Sequence, residues 1–252
     1  MMRLTLVLLA VLVTVPAVAL EGGVATEGPF RVRAVLSGSL IELWDKRQVR
    51  LARIRAPEPW RGDATLTRAA QEVLAGLTLN KDVVLTFSGP RYDRYGRLVA
   101  RVDTVAGLWV QAAMVGRGWA QVHTDETQRD GMAELLALEA AARTANRGLW
   151  RDWRYQVLDP ETAGRVAEGF HVVEGTVLSV STVGAWTYLN FGPDWRSDFT
   201  ISIHRGDRAR MREGLGRLES LAGRDVRVRG WVSRLNGPMI EATYPEQIEV
   251  LR

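Results

Sequence analysis

Three arginines and two carboxylates in the first half of the chain have types and spacings suited to phosphate chemistry. Arg50 lies in Val49-Arg50-Leu51. Arg55 and Glu58 lie in Arg55-Ala56-Pro57-Glu58. Asp93 and Arg97 lie in Asp93-Arg94-Tyr95-Gly96-Arg97. A guanidinium fork meets charge on phosphate oxygens with two parallel donors. A carboxylate can hold a hard divalent cation or orient an attacking water. Taken singly, each residue also has a plainer reading. Arg50 is then a strand-surface arginine, Glu58 a partner for Arg55 or Arg61, and Ser37 and Ser39 the turn residues on either side of Gly38.

No rival constellation competes with this one. The three histidines, His123, His171 and His204, are widely spaced, with no glutamate at the spacing typical of zinc sites. There is no Gly-rich phosphate loop and no Gly-x-Ser-x-Gly elbow. The 252 residues contain no cysteine, which excludes disulfides, thiol catalysis and thiolate metal sites. A content of 46% hydrophobic and 25% charged residues describes a chain that can bury cores. The net charge of +4 permits a polyanionic partner without demanding one.

The elements that must position these residues begin after an N-terminal leader. Arg3, an apolar run from Leu4 to Val15 and the small residues Ala17-Val18-Ala19 read as a signal peptide over 1–19, cut before Leu20. The run is shorter than the ~20 apolar residues of a spanning helix. The mature protein is therefore expected outside the cytoplasm, secreted or periplasmic, and not spanning a membrane. Residues 20–29 read as a flexible leader. Phe30–Leu36, Leu40–Trp44 and Val49–Ile54 read as strands, joined by Ser37-Gly38-Ser39 and Asp45-Lys46-Arg47 and ended by Pro57 and Pro59. Asp63–Leu77 reads as a helix, Val83–Phe87 and Leu98–Asp103 as strands, and Val110–Arg117 and Gln128–Ala145 as helices. Three strands, a helix and two strands suit a five-stranded Greek-key barrel of the oligonucleotide/oligosaccharide-binding (OB) type.

Residues 151–169 read as a linker. The same element order then returns over 170–252: strands at Phe170–Ser181, Ala185–Phe191 and Asp198–Ile203, a helix at Arg208–Leu221, and strands at Asp225–Trp231 and Met239–Ala242. The fold class expected is mainly β with helices (α+β), with a second, smaller OB-like barrel; a short β-sandwich is the alternative for this part. Trp186, Tyr188, Phe191, Trp195 and Phe199 crowd its second and third strands. Trp186, Tyr188 and Trp195 are candidates for stacking a ligand; alternate members of the set would otherwise fill the barrel core. Arg224, Arg227, Arg229 and Arg234 would form a basic edge beside them.

Over residues 30–150 the chain resembles the thermonuclease (staphylococcal-nuclease-like) family. Its pattern is V-x-D-G-D-T, then R-L-x-x-I-D-x-P-E, then D-x-Y-G-R, with a helix and G-L-W at the close. This chain carries Arg50-Leu51, Ile54, Pro57-Glu58, Asp93-x-Tyr95-Gly96-Arg97 and Gly148-Leu149-Trp150 in that order. The resemblance implies an OB barrel that cleaves phosphodiesters with Ca²⁺. It places Arg50 and Arg97 at the two arginine positions and Glu58 at the glutamate beside the attacking water. At the metal positions the chain departs from the pattern. Ser39 stands for the main aspartate, Ser37 for its second-shell neighbour and Arg55 for the remaining aspartate. A fixed cation ~4 Å from a divalent ion repels it by roughly 8 kcal/mol at an effective dielectric of about 20. Asp63, Asp93 and Glu42 are the acids that would have to compensate, and nothing in the sequence shows that one does. No metal or other cofactor is therefore expected. The resemblance implies a degenerate nuclease that binds nucleic acid or another polyanion. The alternatives are a phosphodiesterase with a rebuilt site and a structural protein with a cell-envelope protein partner.

Overall fold

A computed structural model of the protein describes residues 24–59, 64–124, 130–166, 168–234 and 237–251. The signal peptide expected at 1–19, the cut before Leu20, Arg61, Asp63 and the start of the helix expected from Gln128 lie outside the described residues.

The first unit runs β1 (Ala25–Ser37), β2 (Leu40–Leu43), β3 (Gln48–Leu51), the two-residue β4 (Ile54–Arg55), α1 (Ala64–Thr78), β5 (Asp82–Phe87), β6 (Leu98–Thr104), α2 (Val110–Gly116), β7 (Gln121–Val122) and α3 (Met132–Thr144). Buried residues alternate with half-buried ones in β2, β3 and β5, so one face of each is buried. Pairing in the order β1-β2-β3-β6-β5 closes a barrel, with β3 and β6 parallel. β1 is long enough to close it, pairing with β5 through its first half and with β2 through its second. The leader expected at 20–29 is therefore corrected from Ala25 onward, because Ala25, Thr26 and Glu27 pair with Phe87, Thr86 and Leu85. The barrel core is filled by Val32, Ile41, Val49, Leu51, Val83, Leu85 and Ala100. Leu74 of α1, Met114 of α2 and Leu135 of α3 extend the same core.

Residues 151–169, expected as a linker with a Pro-Glu turn inside, contain short helical turns. Single 3₁₀ turns at Gly148–Arg151 and Trp153–Tyr155 lead into the short α4 (Pro160–Ala163). Asp159 caps α4 by accepting the Thr162 N–H at 2.8 Å. Leu158 bridges to Val173, and Leu158 and Ala163 join the core of the second unit.

That unit contains β8 (Gly169–Thr176), β9 (Ser179–Val183), β10 (Trp186–Asn190), β11 (Thr200–His204), α5 (Arg208–Leu215), β12 (Asp225–Arg234), β13 (Pro238–Glu241) and β14 (Ile248–Val250). The strand expected over 170–181 is two strands, because β8 pairs with β12 and β9 with β10. Between them the Val177 N–H donates to the Arg224 carbonyl and the Leu178 N–H to the Asn190 carbonyl. These strands form one seven-stranded sheet in the order β14-β12-β13-β11-β10-β9, with β8 paired to β12. With β8 and β9 taken as one bent strand, it closes in the pairing order of the first barrel, including a parallel pair, β11 with β13. The helix expected to Leu221 stops at Leu215, where Gly216 takes a positive φ of 73°; a 3₁₀ turn covers Leu218–Leu221.

The two units meet through a buried ion pair. Arg229 of β12 donates to Glu139 of α3 at 2.6 Å, and both side chains are fully buried. Glu139 also accepts the Val122 N–H at 2.6 Å, and Arg229 donates to Glu249 at 2.6 Å. Burial alone would depress the Arg229 guanidinium, but the charges of Glu139 and Glu249 outweigh it, and the group is held above its ordinary value. Trp150, Ala142 and Val172 pack beside the pair as a small apolar cluster with Val157 at its margin. The basic edge expected from Arg224, Arg227, Arg229 and Arg234 is corrected accordingly. Arg229 is buried, Arg227 is paired with Glu174 and Glu249, and Arg234 donates to the carbonyls of Gly164 and Val166.

Truncating one member of a buried pair strands the other's charge, at a cost of about 3–5 kcal/mol. Glu139→Ala is therefore expected to lower unfolding free energy by about that much in urea titrations. Glu161→Ala, in the exposed pair with Arg165, is expected to change it by less than about 1 kcal/mol.

Candidate functional site

The site is built around the tight turn between β1 and β2. A Cβ on Gly38 would lie 2.7 Å from the Ala56 Cβ and 2.8 Å from the Ala70 Cβ, so only glycine lets this turn seat against α1 and the end of β4. Ser37 Oγ accepts the Ser39 N–H at 3.3 Å, and the Ser39 carbonyl accepts the Leu51 N–H at 2.9 Å. Both serines thus act as turn residues, and Ser37 Oγ is already engaged. The residue after the turn, Leu40, pairs with Arg50 across β2 and β3. The turn therefore has Arg50 on one side and, through Ala56, the Arg55–Glu58 segment on the other.

Arg50 and Arg97 converge on one carboxylate. Asp93 Oδ2 lies 2.7 Å from the Arg97 guanidinium and 3.8 Å from Arg50 Nε. Its Oδ1 accepts the N–H groups of Tyr95, at 2.9 Å, and Arg97, at 3.1 Å. The positive φ of 74° at Gly96 lets the chain close this turn. The Arg97 guanidinium carbon also lies 4.8 Å from the Tyr95 ring centre. Burial would raise the Asp93 carboxyl, but hydrogen bonds from the Arg97 side chain and from the Arg97 and Tyr95 backbones win and hold it below its ordinary value of 3.8.

Arg55 and Glu58 form the second half. Their side chains are joined in a short ion pair, the plainer of the readings open to Glu58. Arg55 sits in β4 opposite Gln121 of β7. Its guanidinium carbon is 5.1 Å from the Trp231 ring centre and 6.0 Å from that of Phe170, so the second unit reaches this side of the first barrel. Two of the three acids named as compensators are engaged in ion pairs. Glu42 pairs with Arg33 at 2.7 Å and Asp93 with its two arginines, while Asp63 lies outside the described residues. Among the described residues no group of three or more His, Cys, Asp or Glu is placed to hold a metal ion.

On the second barrel, Trp186 and Tyr188 are half-buried while Thr187 between them and Leu189 after them are buried, which puts the two aromatics on the outer face. Tyr188 and Trp195 line one groove of about 320 Å³ with Ser181, Val183, Asn190, Thr200 and Met239. Trp186 stands outside this set, edge-on to His204 at 4.9 Å. Phe199 turns inward to the core, where Phe191 packs against it at 5.2 Å.

A family model described as "Staphylococcal nuclease homologue" matches residues 48–152. Two curated proteins named "Uncharacterized endonuclease", one from Escherichia coli O157:H7 and one from Escherichia coli, are each 34% identical over 125 residues. That alignment covers 48% of this chain and 76% of each relative. The chain belongs to the staphylococcal nuclease homologue family. Arg50, Arg55, Glu58 and Arg97 lie within the matched residues, and Ser37 and Ser39 lie before them. The matched residues end before β8, so the second barrel lies beyond the family's part of the chain. Two features of the site escaped sequence reasoning. Asp93 was legible as a motif letter but not as the shared counter-ion. Trp231 had no local signal, since it arrives from a strand more than 130 residues after Glu58.

Asp93→Asn keeps an acceptor for the turn and removes the charge opposing Arg50 and Arg97. It is expected to tighten binding of phosphate-bearing ligands on the order of tenfold and to cost about 1–2 kcal/mol of stability at neutral pH. Because the folded Asp93 is held below 3.8, its contribution is fully present above that pH and lost as pH falls through the folded value. The stability gap between parent and variant should therefore narrow in acid, as followed by denaturant titrations at stepped pH.

Proposed function

We propose that this member of the nuclease family binds single-stranded nucleic acid, or a similar phosphate-bearing polyanion, without hydrolysing it efficiently. The observation that carries this reading is the Arg55–Glu58 ion pair. It joins the residue at a metal-ligand position to the residue at the water-orienting position. Pairing with a guanidinium lowers the basicity of a carboxylate, and a cation in place of an anion opposes Ca²⁺. With Ser37 Oγ turned to the Ser39 N–H, these positions do not present the oxygen cage a hard cation requires. Arg50 and Arg97 supply forks that recognise phosphate, but arginine does not activate water. The residues proposed to contact the ligand are therefore Arg50 and Arg97, beside Glu58 and Arg55.

The printed names of the two Escherichia coli relatives favour a second reading, an active endonuclease with a rebuilt metal site. We propose further that the protein is exported to the periplasm or beyond, on the strength of Arg3, the Leu4–Val15 run and Ala17-Val18-Ala19. Among the described residues no helix is long and apolar enough to cross a membrane. A cell-envelope protein partner is the reading left if the pocket binds no anion.

Cleavage of single-stranded DNA with Ca²⁺ and with chelator tests the first two readings. The parent is expected to show no chelator-sensitive cleavage. Ser39→Asp with Arg55→Asp is expected to gain at least tenfold, each tenfold being ~1.4 kcal/mol of barrier. Either single change should gain much less, because Ser39→Asp alone would pair with Arg55. Robust chelator-sensitive cleavage by the parent would establish the endonuclease reading instead. Binding of the parent to the same DNA should weaken with salt, log K falling about 0.7 per phosphate neutralised for each unit of log salt. Loss of binding at all salt concentrations would leave the envelope-partner reading.

For export, intact mass of protein from its native host should correspond to a chain beginning at Leu20. A cytoplasmic pool retaining Met1 would end that proposal.

A further inference from the structure

Trp231 is half-exposed, although it sits on a strand that is otherwise well buried in its middle. Its cross-strand neighbour, Phe170 of β8, is buried. The ring therefore presents one part of its surface to the interface and leaves another part in water. Beside it lies the Arg55 guanidinium, 5.1 Å from the ring centre, itself paired with Glu58.

A closed circuit of contacts fixes this position. Arg55 pairs with Gln121 across β4 and β7. The next β7 residue, Val122, donates to Glu139 and accepts from Arg229 at 3.4 Å. Glu139 and Arg229 form the fully buried pair. Arg229 lies two residues before Trp231, so the two share one face of β12. The circuit returns through the Trp231 ring to Arg55. On the remaining side His123, which follows β7, packs edge-on against Phe170 at 5.2 Å. An exposed indole held this firmly beside Arg55 has the makings of a stacking platform.

We propose that Trp231 of the second barrel completes the ligand site of the first by stacking a nucleobase of a single-stranded nucleic acid whose phosphate is held at Arg50 and Arg97. This rests on the nucleic-acid reading given above. The turn at Gly38 links the two halves of the site, flanked by Arg50 through Leu40 and by the Arg55–Glu58 segment through Ala56. A strand with its phosphate at the arginines can lay a base toward the Arg55–Trp231 side. Base–aromatic stacking tolerates any sequence, because every base has a π-face. The site is therefore expected to read single-strandedness rather than sequence.

The test measures binding of the full chain to a fluorescent oligothymidylate and to an abasic oligomer of the same length. Trp231→Leu keeps apolar packing against Phe170 and removes the indole. It is expected to weaken oligothymidylate binding about tenfold and to leave abasic binding and the salt slope as in the parent. Trp231→Phe should stay closer to the parent for both. Equal affinity of parent and Trp231→Leu for oligothymidylate would overturn the proposal and reduce Trp231 to interface packing. Equal weakening toward both oligomers would overturn it too, by showing that the substitution disturbs the phosphate pocket. A parent that binds neither oligomer would overturn the nucleic-acid reading itself, which is a distinct result. If the leucine variant melts early, intrinsic fluorescence carries the readout. Oligothymidylate should quench the parent and lose most of that quench in Trp231→Phe, and an undiminished quench would again overturn the proposal.

Discussion

The buried pairing of Arg229 with Glu139 is the constraint on which the rest of the molecule depends. Each side chain is fully removed from water, and neither could remain charged there alone. Their burial therefore requires the two barrels to meet in one register, with α3 of the first facing β12 of the second. Glu139 extends the requirement by accepting the Val122 N–H, and Arg229 by reaching Glu249 at the other side. A purely apolar interface tolerates small slides, because dispersion and area burial have little direction. A buried, hydrogen-bonded ion pair does not, because a shift of an ångström leaves donors and acceptors unmet.

That register has a chemical consequence. It sets Trp231 and Phe170 against Arg55. Arg55 consequently does three things. It neutralises Glu58, offers its face to aromatic rings and helps to seat the second barrel. The cation at Arg55 suits the aromatic side chains that the second unit brings to it.

The arginine pair on the other side is governed by a separate anion. Asp93 uses one oxygen to build the Tyr95-Gly96-Arg97 turn and the other to hold the Arg97 and Arg50 side chains. The forks are thus held in place before any ligand arrives, at the cost of competition from the carboxylate that holds them.

Much of the fold was legible in the residues. Period-two alternation in Val49–Leu51 and Val83–Phe87 and helical spacing in Leu74–Leu77 report burial against immediate neighbours, and those signals are local. The α+β class, the element order of both barrels and the motif residues Arg50, Glu58 and Arg97 came from such signals and from the family pattern. The flexible leader up to Pro29 and the basic edge at 224–234 did not hold, each for a long-range reason. Ala25 is paired by Phe87, and Arg229 is neutralised by a glutamate ninety residues earlier. Glu139 gave no warning inside its helix, because a charged residue at helical spacing looks the same whether it meets water or a buried arginine. By itself the sequence determined the elements, their order and the letters at the site, since these depend on neighbours along the chain. Tertiary structure alone decided that Glu139 cancels Arg229 and that the second barrel supplies Trp231, because partners separated by 90 to 176 residues are chosen by packing in space and leave no periodicity to read.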